Sequence, residues 1–524
     1  MSLYLVVHQR CGVDLERMRE SPKDRANSES RSVATRNEVE GDAQNTKQPD
    51  SVFDIYHLDN VTYYKYNNNT LIMTDNTFIP IPESTLPRIV IVGAGFAGLE
   101  MVMNLDGKHY QVVLLDKNNY HQFQPLFYQV AMSGLEPSAI VFPIRKLLQR
   151  KKNFYFRTAE VLNIDSETQI IKTNFGDLRY DHLILAIGAD TNFFGNENIA
   201  ELSIPMKSVS EALYLRNRIL DDLEKAVNID NLEDQKCYLD IVIVGGGPTG
   251  VEVAGALAEM KRYIFPKDYK ELNADEIEIH LLDAGPTLLG GMSEKASSNA
   301  LKFLESLDVK VHLNTFVKDY RDNIISTNTG LTLKTRKVIW AAGVIGNTIK
   351  GLRGDILAKG NRIKVDEYCR VKGTDNIYAL GDVAHMETKD YPNGHPQVAQ
   401  VAIQMGRMCA KNFSRLTKGK SLKTFKYKDL GSMATIGKNK AVADLPNYQT
   451  SGFFAWLIWL WVHLFSLIGV KNKLLVFTNW IINYLTYNPS LRLIIKPRIS
   501  AALYDKLQES KGEKKIDSVN ELLS

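Results

Sequence analysis

Residues 88–98 read Arg88-Ile89-Val90-Ile91-Val92-Gly93-Ala94-Gly95-Phe96-Ala97-Gly98, an apolar run followed at once by a glycine-rich loop. This spacing predicts a buried strand, a tight turn and a helix. In that geometry Gly93 permits the turn, Gly95 lets the backbone approach a pyrophosphate, and Gly98 allows the helix to pack closely on the strand. The stretch therefore predicts a Rossmann-like dinucleotide site with the phosphates at a helix N-terminus.

An acid at a suitable distance strengthens the interpretation of this first loop. The next apolar strand, residues 111–115, ends in Asp116, which lies 23 residues after Gly93 and would accept hydrogen bonds from ribose hydroxyls. Further along, Gly381-Asp382 follows another apolar strand and precedes a helix expected from Pro396. An ordinary turn would explain Gly381-Asp382 on its own. If Asp382 lies beside the first loop, its carboxylate would instead accept a hydrogen bond from a ribityl hydroxyl of FAD.

A second copy of the pattern begins at residue 240. Asp240-Ile241-Val242-Ile243-Val244 precedes Gly245-Gly246-Gly247-Pro248-Thr249-Gly250, so Gly245, Gly247 and Gly250 repeat the spacing. The next strand ends in Asp283, 38 residues after Gly245, and this acid would accept from an adenosine 2′-hydroxyl and repel a 2′-phosphate. A turn acid is the alternative interpretation of Asp283. The second loop therefore predicts NADH rather than NADPH.

Glu252 comes two residues after the second loop, where we expect the first turn of the helix. An acid in that position commonly stabilises a helix N-terminus. A functional carboxylate next to the dinucleotide explains the same residue equally well, and the sequence leaves both interpretations open.

Strand and helix patterns alternate from Pro87 onward, which predicts an α/β fold with two Rossmann-like dinucleotide-binding domains. Because the second pattern starts before the first is complete, we expect the NADH domain to be inserted in the FAD domain. The expected divisions are a largely disordered N-terminal extension at 1–86 with a hairpin over 61–73, the FAD domain at 87–207 and 337–411, the NADH domain at 208–336, a C-terminal subdomain at 412–450, membrane-anchoring helices at 451–500 and a charged tail at 501–524.

Composition narrows the function classes. The net charge is +4 over 524 residues, and no basic cluster interleaved with aromatic residues predicts a nucleic-acid surface. The four cysteines (Cys11, Cys237, Cys369 and Cys409) show no C-x-x-C spacing, so neither a metal site nor a redox disulfide is expected. The N-terminal apolar run is too short for a signal peptide, and acids match the nearby arginines, which argues against a mitochondrial transit peptide.

Residues 451–500 are strongly aromatic and aliphatic, and the segment holds four of the five tryptophans, Trp456, Trp459, Trp461 and Trp480. Residues 451–470 nearly reach the roughly 20 apolar residues of a spanning helix. A buried core or a dimer interface is a second interpretation. The tryptophans, together with Lys471 and Lys473, favour a third, helices that lie in the membrane interface. Amphipathic helices of a membrane anchor are therefore expected here.

The ordered set of motifs resembles the type II NADH:quinone oxidoreductases over residues 88–500. The motifs are the first loop with Asp116, Asn119-Tyr120-His121-Gln122-Phe123-Gln124-Pro125-Leu126-Phe127-Tyr128-Gln129-Val130-Ala131, the second loop ending in Gly250-Val251-Glu252, Trp340-Ala341-Ala342-Gly343-Val344, Ala379-Leu380-Gly381-Asp382, and Ala399-Gln400-Val401-Ala402-Ile403-Gln404. Two departures stand out. Met405 replaces a second glutamine that is frequent in the family, and Ala186-Ile187-Gly188 replaces the common Ala-Thr-Gly near the flavin phosphates.

The resemblance implies which residues carry the site. Non-covalent FAD would be held by Gly93, Gly95, Gly98, Asp116, Gly188, Gly381 and Asp382, and the substrate NADH by Gly245, Gly247, Gly250, Glu252 and Asp283. It further implies that Gln400 and Gln404 lie beside the isoalloxazine at a quinone pocket reached from the membrane. Glu252 would lie near nicotinamide and flavin and join proton transfer. No metal is implied.

The implied function is two-electron NADH:quinone oxidoreduction without proton pumping. The enzyme would be peripheral on the cytoplasmic face of a bacterial inner membrane, and the sequence leaves open which quinone it uses and whether it forms a homodimer. The alternatives are a reductase of the same superfamily with sulfide as donor or a ferredoxin-type acceptor, and a non-catalytic NADH-binding membrane protein.

Overall fold

The computed structural model describes residues 78–486 and 491–495, and the backbone of three strands nearer the N-terminus. The chain divides into two compact units, residues 1–75 and 76–524. In the smaller unit, Asp54–Leu58, Val61–Tyr66 and Asn69–Met73 form an antiparallel sheet. The last two strands agree with the predicted hairpin. The first was not predicted, because Asp54 and His57 interrupt its apolar pattern. Within the extension at 1–86 that we expect to be largely disordered, these strands are ordered instead. Residues 1–50 and the charged tail at 501–524 lie outside the described residues.

The first loop follows the central strand of a five-stranded parallel sheet. The strand order is Ile377–Ala379, His182–Leu185, Arg88–Val92, Gln111–Asp116 and Phe154–Thr158. Its core positions are mostly apolar, and Ile89, Val90 and Ile91 have no exposed surface. One edge strand comes from residues 377–379, nearly two hundred residues after its neighbour at 182–185. The first domain is therefore built from two separate stretches of chain, as an inserted second domain requires.

The second domain repeats the arrangement with a second five-stranded parallel sheet. Its strand order is Ile204–Pro205, Lys337–Trp340, Ile241–Val244, Ile279–Leu282 and Val309–His312. Lys337–Trp340 pairs with the strand that precedes the second loop, so this sheet extends past the boundary expected at residue 336. It also includes Ile204–Pro205, ahead of the start expected at 208. Both segments are short buried strands whose sheet the sequence pattern does not specify.

Two helices start at the glycine loops, and we call Phe96–Asn104 the first-loop helix and Pro248–Tyr263 the second-loop helix. Other helices before residue 310 span Phe127–Ala131, Pro137–Ile140, Ile144–Leu148, Glu197–Leu202, Val209–Ala226, Leu232–Leu239, Phe265–Asp268 and Glu294–Glu305. Two short antiparallel pairs join Tyr120–Gln122 to Val141–Pro143 and Ala189–Thr191 to Val344–Gly346. A three-stranded antiparallel sheet is formed by Val161–Asp165, Ile170–Thr173 and Gly176–Arg179. Val317–Arg321, Ile324–Thr327 and Thr332–Lys334 form another such sheet, and Leu357–Ala358, Arg362–Lys364 and Ala384–His385 a mixed one.

The helix that carries both candidate glutamines, Ala399–Leu416, is called the glutamine helix. It begins three residues after Pro396, because Val398 has extended backbone angles and acts as the N-cap. The helix crosses the first-loop helix at Gly406, where a Cβ atom would lie 2.3 Å from the carbonyl oxygen of Ala97. Glycine at this position therefore allows the two backbones to touch, and it holds the glutamine helix against the first loop.

The C-terminal sheet consists of Ser432–Gly437, Lys440–Leu445 and Tyr448–Ser451, and the C-terminal helices are Phe453–Ser466 and Val470–Thr486. The apolar run at 451–470 is therefore not one helix. It breaks at Leu467 and Gly469, where glycine takes a φ of +82° that other residues adopt at a cost. Across the described residues, every helix is too short or too polar to cross a bilayer.

Candidate active site

The first loop has the geometry that its glycines predict. Gly93 has a φ of +100°, and a Cβ atom there would lie 2.3 Å from the Ala186 carbonyl oxygen. A Cβ atom on Gly98 would lie 1.9 Å from the Gly93 carbonyl oxygen, whereas one on Gly95 would meet no atom within 4 Å. No side chain caps the helix that begins after Gly95, and its first turn contains no acid. The loop thus leaves open space in front of uncapped N–H groups, which suits a pyrophosphate.

Asp116 lies at the end of its strand and shapes the loop. Its Oδ2 accepts a hydrogen bond from the Ala94 N–H at 2.7 Å, and its Oδ1 accepts one from the Asn118 N–H at 2.7 Å. Burial raises the pKa of this carboxyl above its ordinary value, and the two backbone N–H groups oppose the rise. The acid is therefore next to the glycine turn, and its contact with a ribose stays a prediction.

The remaining FAD candidates surround the same loop. Gly381 has a φ of +73°, and a Cβ atom there would lie 3.1 Å from Cβ of Ala402 on the glutamine helix. Burial raises the pKa of Asp382, while Lys207 and Arg362 lower it. Gly188, with a φ of +67°, faces open space. Met405, the departure from the family pattern, is fully buried, and its sulfur accepts the Gly381 N–H at 3.4 Å.

The second loop reproduces the first almost atom for atom. Gly245 has a φ of +113°, and a Cβ atom there would lie 2.4 Å from the Ala341 carbonyl oxygen. A Cβ atom on Gly250 would lie 1.8 Å from the Gly245 carbonyl oxygen. Gly247, like Gly95, faces open space at the start of an uncapped helix. Asp283 accepts from the Gly246 N–H and, at 2.7 Å, from the Gly285 N–H. The structure therefore contains two glycine loops of closely similar geometry.

Glu252 lies deeper in the second-loop helix than the sequence suggests. The helix begins at Pro248 and has no acid in its first turn, so the expectation that Glu252 belongs to that turn is wrong. The side chain is only 9% exposed, and its nearest donor is the Thr435 N–H at 3.5 Å. Burial raises its pKa from 4.5 to about 8, against the lowering effects of the Thr435 N–H and the Trp459 indole. A helix-capping role therefore loses its support.

Glu252 faces a cavity of about 520 Å³ between the second-loop helix, the C-terminal sheet and the C-terminal helices. Most of its wall is aliphatic or aromatic. The polar exceptions are Tyr128, Gln129, Glu252, Glu259, Tyr263, Thr435, Lys438, Asn483 and Tyr484. Glu259 lies two helical turns after Glu252, and its Oε1 accepts the Lys438 N–H at 2.6 Å. A mostly apolar pocket with few convergent polar groups is the usual form of a small-molecule site.

An aromatic layer joins this cavity to the first loop. Phe96, inside the loop motif, packs edge-on against Phe123 with ring centroids 5.9 Å apart, and Phe123 packs against His463 at 6.3 Å. The His463 ring stacks on Trp459 at 4.0 Å, and Trp459 is 1% exposed. Burial lowers the pKa of His463 to about 4, so this imidazole is neutral at physiological pH. The nucleotide loop and the cavity are therefore separated by apolar rings.

Gln400 and Gln404 lie one turn apart on the glutamine helix, as predicted, but each amide is engaged with backbone. Gln400 donates to the Gly431 carbonyl at 2.8 Å and accepts from the Leu430 N–H at 3.1 Å. Gln404 donates to the Lys428 carbonyl at 2.8 Å and accepts from its N–H at 2.9 Å. Both side chains therefore hold residues 428–431 on the helix, and neither lines the cavity. Their contact with a quinone stays a prediction.

Sequence reasoning missed several residues of the cavity, chiefly Tyr128, Glu259, Thr435 and Trp459. Tyr128 lies inside a motif quoted for the family resemblance, and Glu259 follows Glu252 at a spacing that returns to one face of a helix. These two were therefore detectable. Thr435 and Trp459 come from the C-terminal sheet and helices, and no local pattern links them to Glu252.

Comparison with known proteins agrees with this geometry. A family model described as pyridine nucleotide-disulphide oxidoreductase matches residues 87–406, and one described as the NDH2 C-terminal domain matches residues 430–487. The type II NADH:quinone oxidoreductase NdhA of Mycobacterium tuberculosis is 34% identical over 81% of this chain and 93% of its own length. The chain belongs to the type II NADH:quinone oxidoreductases. Members of this family are enzymes that oxidise NADH and reduce a quinone.

Other relatives separate the family from its neighbours. The mycobacterial type II NADH:quinone oxidoreductase Ndh is also 34% identical, over 76% of this chain and 88% of its own. Among solved structures, NDH2 of Plasmodium falciparum in complex with NADH is 27% identical with a TM-score of 0.72, covering 78% of this chain and all of that one. The sulfide:quinone oxidoreductase of Aquifex aeolicus is 18% identical with a TM-score of 0.57, a likeness that shows the fold alone. The sequence-based recognition of the type II family is thus confirmed.

Proposed function

We propose that this type II NADH:quinone oxidoreductase works as a peripheral membrane flavoprotein with non-covalent FAD in the first loop and NADH in the second. The observation that carries the proposal is the placement of Glu252 in an apolar cavity, on a helix that begins at the second nucleotide loop. FAD held in the first loop would supply the redox chemistry, which is acceptance of a hydride from NADH and transfer of two electrons to a quinone. The protein positions the partners and supplies protons.

The two loops fit the two nucleotides. Gly95 and Gly247 each face space that no protein atom occupies within 4 Å of a Cβ position, which is the clearance a pyrophosphate needs. The uncapped helices behind them offer free N–H groups. Asp283, already next to Gly246, is placed to accept from a ribose hydroxyl and to repel a 2′-phosphate, so NADH is the proposed donor. The NADH-bound Plasmodium relative supports this assignment.

The cavity is the proposed quinone site. Its volume of about 520 Å³ falls in the range of about 300–1,000 Å³ that is typical of small-molecule pockets. A quinone carbonyl becomes a hydroxyl on reduction, so it needs protons close by. With its pKa near 8, Glu252 is protonated at neutral pH and can donate a proton to a reduced quinone oxygen. The surrounding indoles and aliphatic chains make the wall of the cavity mostly apolar.

An exposed apolar surface on the C-terminal helices supports membrane attachment. Its large side chains are Phe453, Phe454, Trp461, Val462, Phe465, Val470, Leu474, Phe477, Ile481, Ile482 and Leu485, each more than 40% exposed. Exposed apolar surface of this size marks a membrane or protein contact. We propose interfacial binding on the cytoplasmic face of a bacterial inner membrane, where NADH and quinone meet. The chemistry uses one membrane face and requires no proton pumping.

The test separates the two half-reactions of the purified, FAD-loaded chain. Ala256→Phe and Leu460→Trp fill the cavity from two different helices. We expect NADH to bleach the flavin at the wild-type rate in both variants, and a short-chain ubiquinone to reoxidise it at least tenfold more slowly. Normal reoxidation in both variants would contradict the quinone site. Flotation with anionic liposomes tests attachment, and light scattering in detergent tests whether the same surface forms a homodimer.

A further inference from the structure

A chain of directed hydrogen bonds leads from the second C-terminal helix into the cavity. The Trp480 indole N–H donates to Oε1 of Gln129 at 2.7 Å. Nε2 of Gln129 donates to the Tyr128 hydroxyl at 2.7 Å. All three side chains line the cavity that also contains Glu252. The helix that carries part of the proposed membrane surface is therefore linked through Gln129 to the hydroxyl of Tyr128.

The direction of every bond in this chain is fixed by its first member. An indole N–H can only donate, so the Gln129 carbonyl oxygen must face Trp480. The amide NH₂ group of Gln129 then necessarily faces Tyr128 and donates to its oxygen. Because the Tyr128 oxygen accepts this hydrogen bond, the hydroxyl proton of Tyr128 must point away from Gln129.

The Tyr128 proton has no acceptor among the described residues, although the ring is 93% buried. The tyrosine is 7% exposed, and among the described residues its hydroxyl accepts a hydrogen bond from Gln129. A buried donor without an acceptor costs free energy, so such a group usually marks a ligand position. Burial and the nearby carboxyls of Glu252 and Glu259 raise the pKa of Tyr128 well above its ordinary value, so the hydroxyl keeps its proton.

We propose that the Tyr128 hydroxyl donates a hydrogen bond to one carbonyl oxygen of the quinone, and that Gln129 and Trp480 are positioning residues that direct this donor. The inference rests on the cavity being the quinone site. Tyr128 keeps its proton throughout and favours the partial negative charge that develops on the carbonyl oxygen as electrons arrive. Glu252, on the facing helix, is left free to deliver protons.

The experiment compares Tyr128→Phe, Trp480→Phe and Gln129→Met in the FAD-loaded full chain. For Tyr128→Phe we expect flavin reduction by NADH and reduction of ferricyanide to stay at wild-type rates. Reoxidation by a short-chain ubiquinone should slow about tenfold, as expected for the loss of one hydrogen bond in a mostly apolar site. Calorimetry on the oxidised protein should show about tenfold weaker binding of the same quinone. Tyr448→Phe, on an exposed tyrosine outside the cavity, is the matched control and should behave as wild type.

A double-variant cycle tests the positioning role. If Trp480 acts only by directing Tyr128, Trp480→Phe should slow reoxidation severalfold in the wild-type background and add nothing to Tyr128→Phe. An equal further loss in the double variant would mean that Trp480 acts through packing, and this would contradict its positioning role. Gln129→Met provides the same comparison if Trp480→Phe lowers the melting temperature.

The outcomes also distinguish this inference from the proposed function. Wild-type behaviour of Tyr128→Phe together with slow reoxidation in Ala256→Phe and Leu460→Trp would leave the quinone in the cavity and remove Tyr128 as its donor. Wild-type reoxidation in all of these variants would remove the quinone from the cavity, and both proposals would then fail.

Discussion

Gly255 touches the backbone of Ile436 so closely that a Cβ atom on residue 255 would lie 1.7 Å from the Ile436 carbonyl oxygen. The contact joins the second-loop helix to the C-terminal sheet. Glu252 lies one turn earlier on that helix, and the Thr435 N–H that approaches it precedes Ile436. One backbone contact therefore fixes the distance between the NADH domain and a wall of the proposed quinone cavity.

Replacing this glycine should damage stability and quinone chemistry together. We expect Gly255→Ala to lower the free energy of unfolding by about 1–3 kcal/mol, because the helix and the strand must separate to admit a methyl group. Reoxidation of the flavin by quinone should slow, since Thr435 moves away from Glu252. Urea unfolding and stopped-flow absorbance measure the two effects. Gly354→Ala, where a Cβ atom meets nothing within 4 Å, is the control, and equal behaviour of both variants would contradict the contact's importance.

The glycines of the first loop should respond differently to the same substitution. Gly95 has an ordinary φ of −68° and free space around a Cβ position, so Gly95→Ala should fold normally and lose FAD, because the methyl group occupies the phosphate's position. Gly98→Ala should instead destabilise the protein by about 1–3 kcal/mol through contact with Gly93. The FAD content per chain and the melting temperature of the apoprotein separate the two. Full FAD retention in Gly95→Ala would exclude the pyrophosphate from this loop.

The glycine loops could be predicted because their geometry is local. A strand, a turn and a helix within eleven residues specify Gly93, Gly95 and Gly98. Asp116 ends the next strand along the chain, which places it beside them. The second loop and the inserted domain were predicted from the same local pattern, and the family was recognised from the resemblance of the ordered motifs. The sheet to which Lys337–Trp340 belongs could not be predicted, because a buried apolar strand fits either parallel sheet.

The cavity was beyond such reasoning. It brings Tyr128, Glu252, Thr435 and Trp459 together from four elements separated by as many as 331 residues, and no periodicity connects them. The apolar run at 451–470 led to the prediction of a membrane anchor, which stays a proposal. Its division into two helices depends on Gly469, whose positive φ is decided by packing: a Cβ atom there would contact the Phe142 ring.

Asp283 should control the choice of dinucleotide. Asp283→Asn keeps the size of the side chain and an oxygen acceptor but removes the charge that would repel a 2′-phosphate. We expect the ratio of kcat/KM for NADH over NADPH to fall about tenfold, equivalent to about 1.4 kcal/mol. Steady-state kinetics with both dinucleotides give this ratio. Asp275→Asn, an exposed acid on the same domain, is the control. An unchanged ratio in Asp283→Asn would identify residue 283 as a turn acid.

Gln404 should affect the quinone half of the reaction. Its two hydrogen bonds to Lys428 hold residues 428–431, which continue into the C-terminal sheet. We expect Gln404→Leu to cost about 1–2 kcal/mol of stability through the unpaired backbone groups. It should slow flavin reoxidation by quinone more than flavin reduction by NADH. Gln449→Leu, on an exposed strand position, serves as control. Equal slowing of both half-reactions by Gln404→Leu would place the glutamine away from the quinone.

Glu252 should make the stability of the protein depend on pH in a specific direction. Its pKa is about 8 in the folded chain against an ordinary value of 4.5. Between these values the unfolded chain loses the proton while the folded chain keeps it, so the free energy of unfolding falls as pH rises from 4.5 and levels off above 8. The total loss is on the order of a few kcal/mol.

Glu252→Gln removes this titration and keeps the volume of the side chain. We expect the variant to match wild type near pH 5 and to be more stable than wild type at pH 8, while flavin reoxidation by quinone slows because the proton donor is absent. Urea unfolding at the two pH values measures the first effect. Glu305→Gln, an exposed glutamate, should leave the wild-type pH dependence unchanged. If Glu252→Gln retained the full loss of stability between pH 5 and pH 8, another group would carry the titration, and Glu252 would be ionised in its cavity at neutral pH.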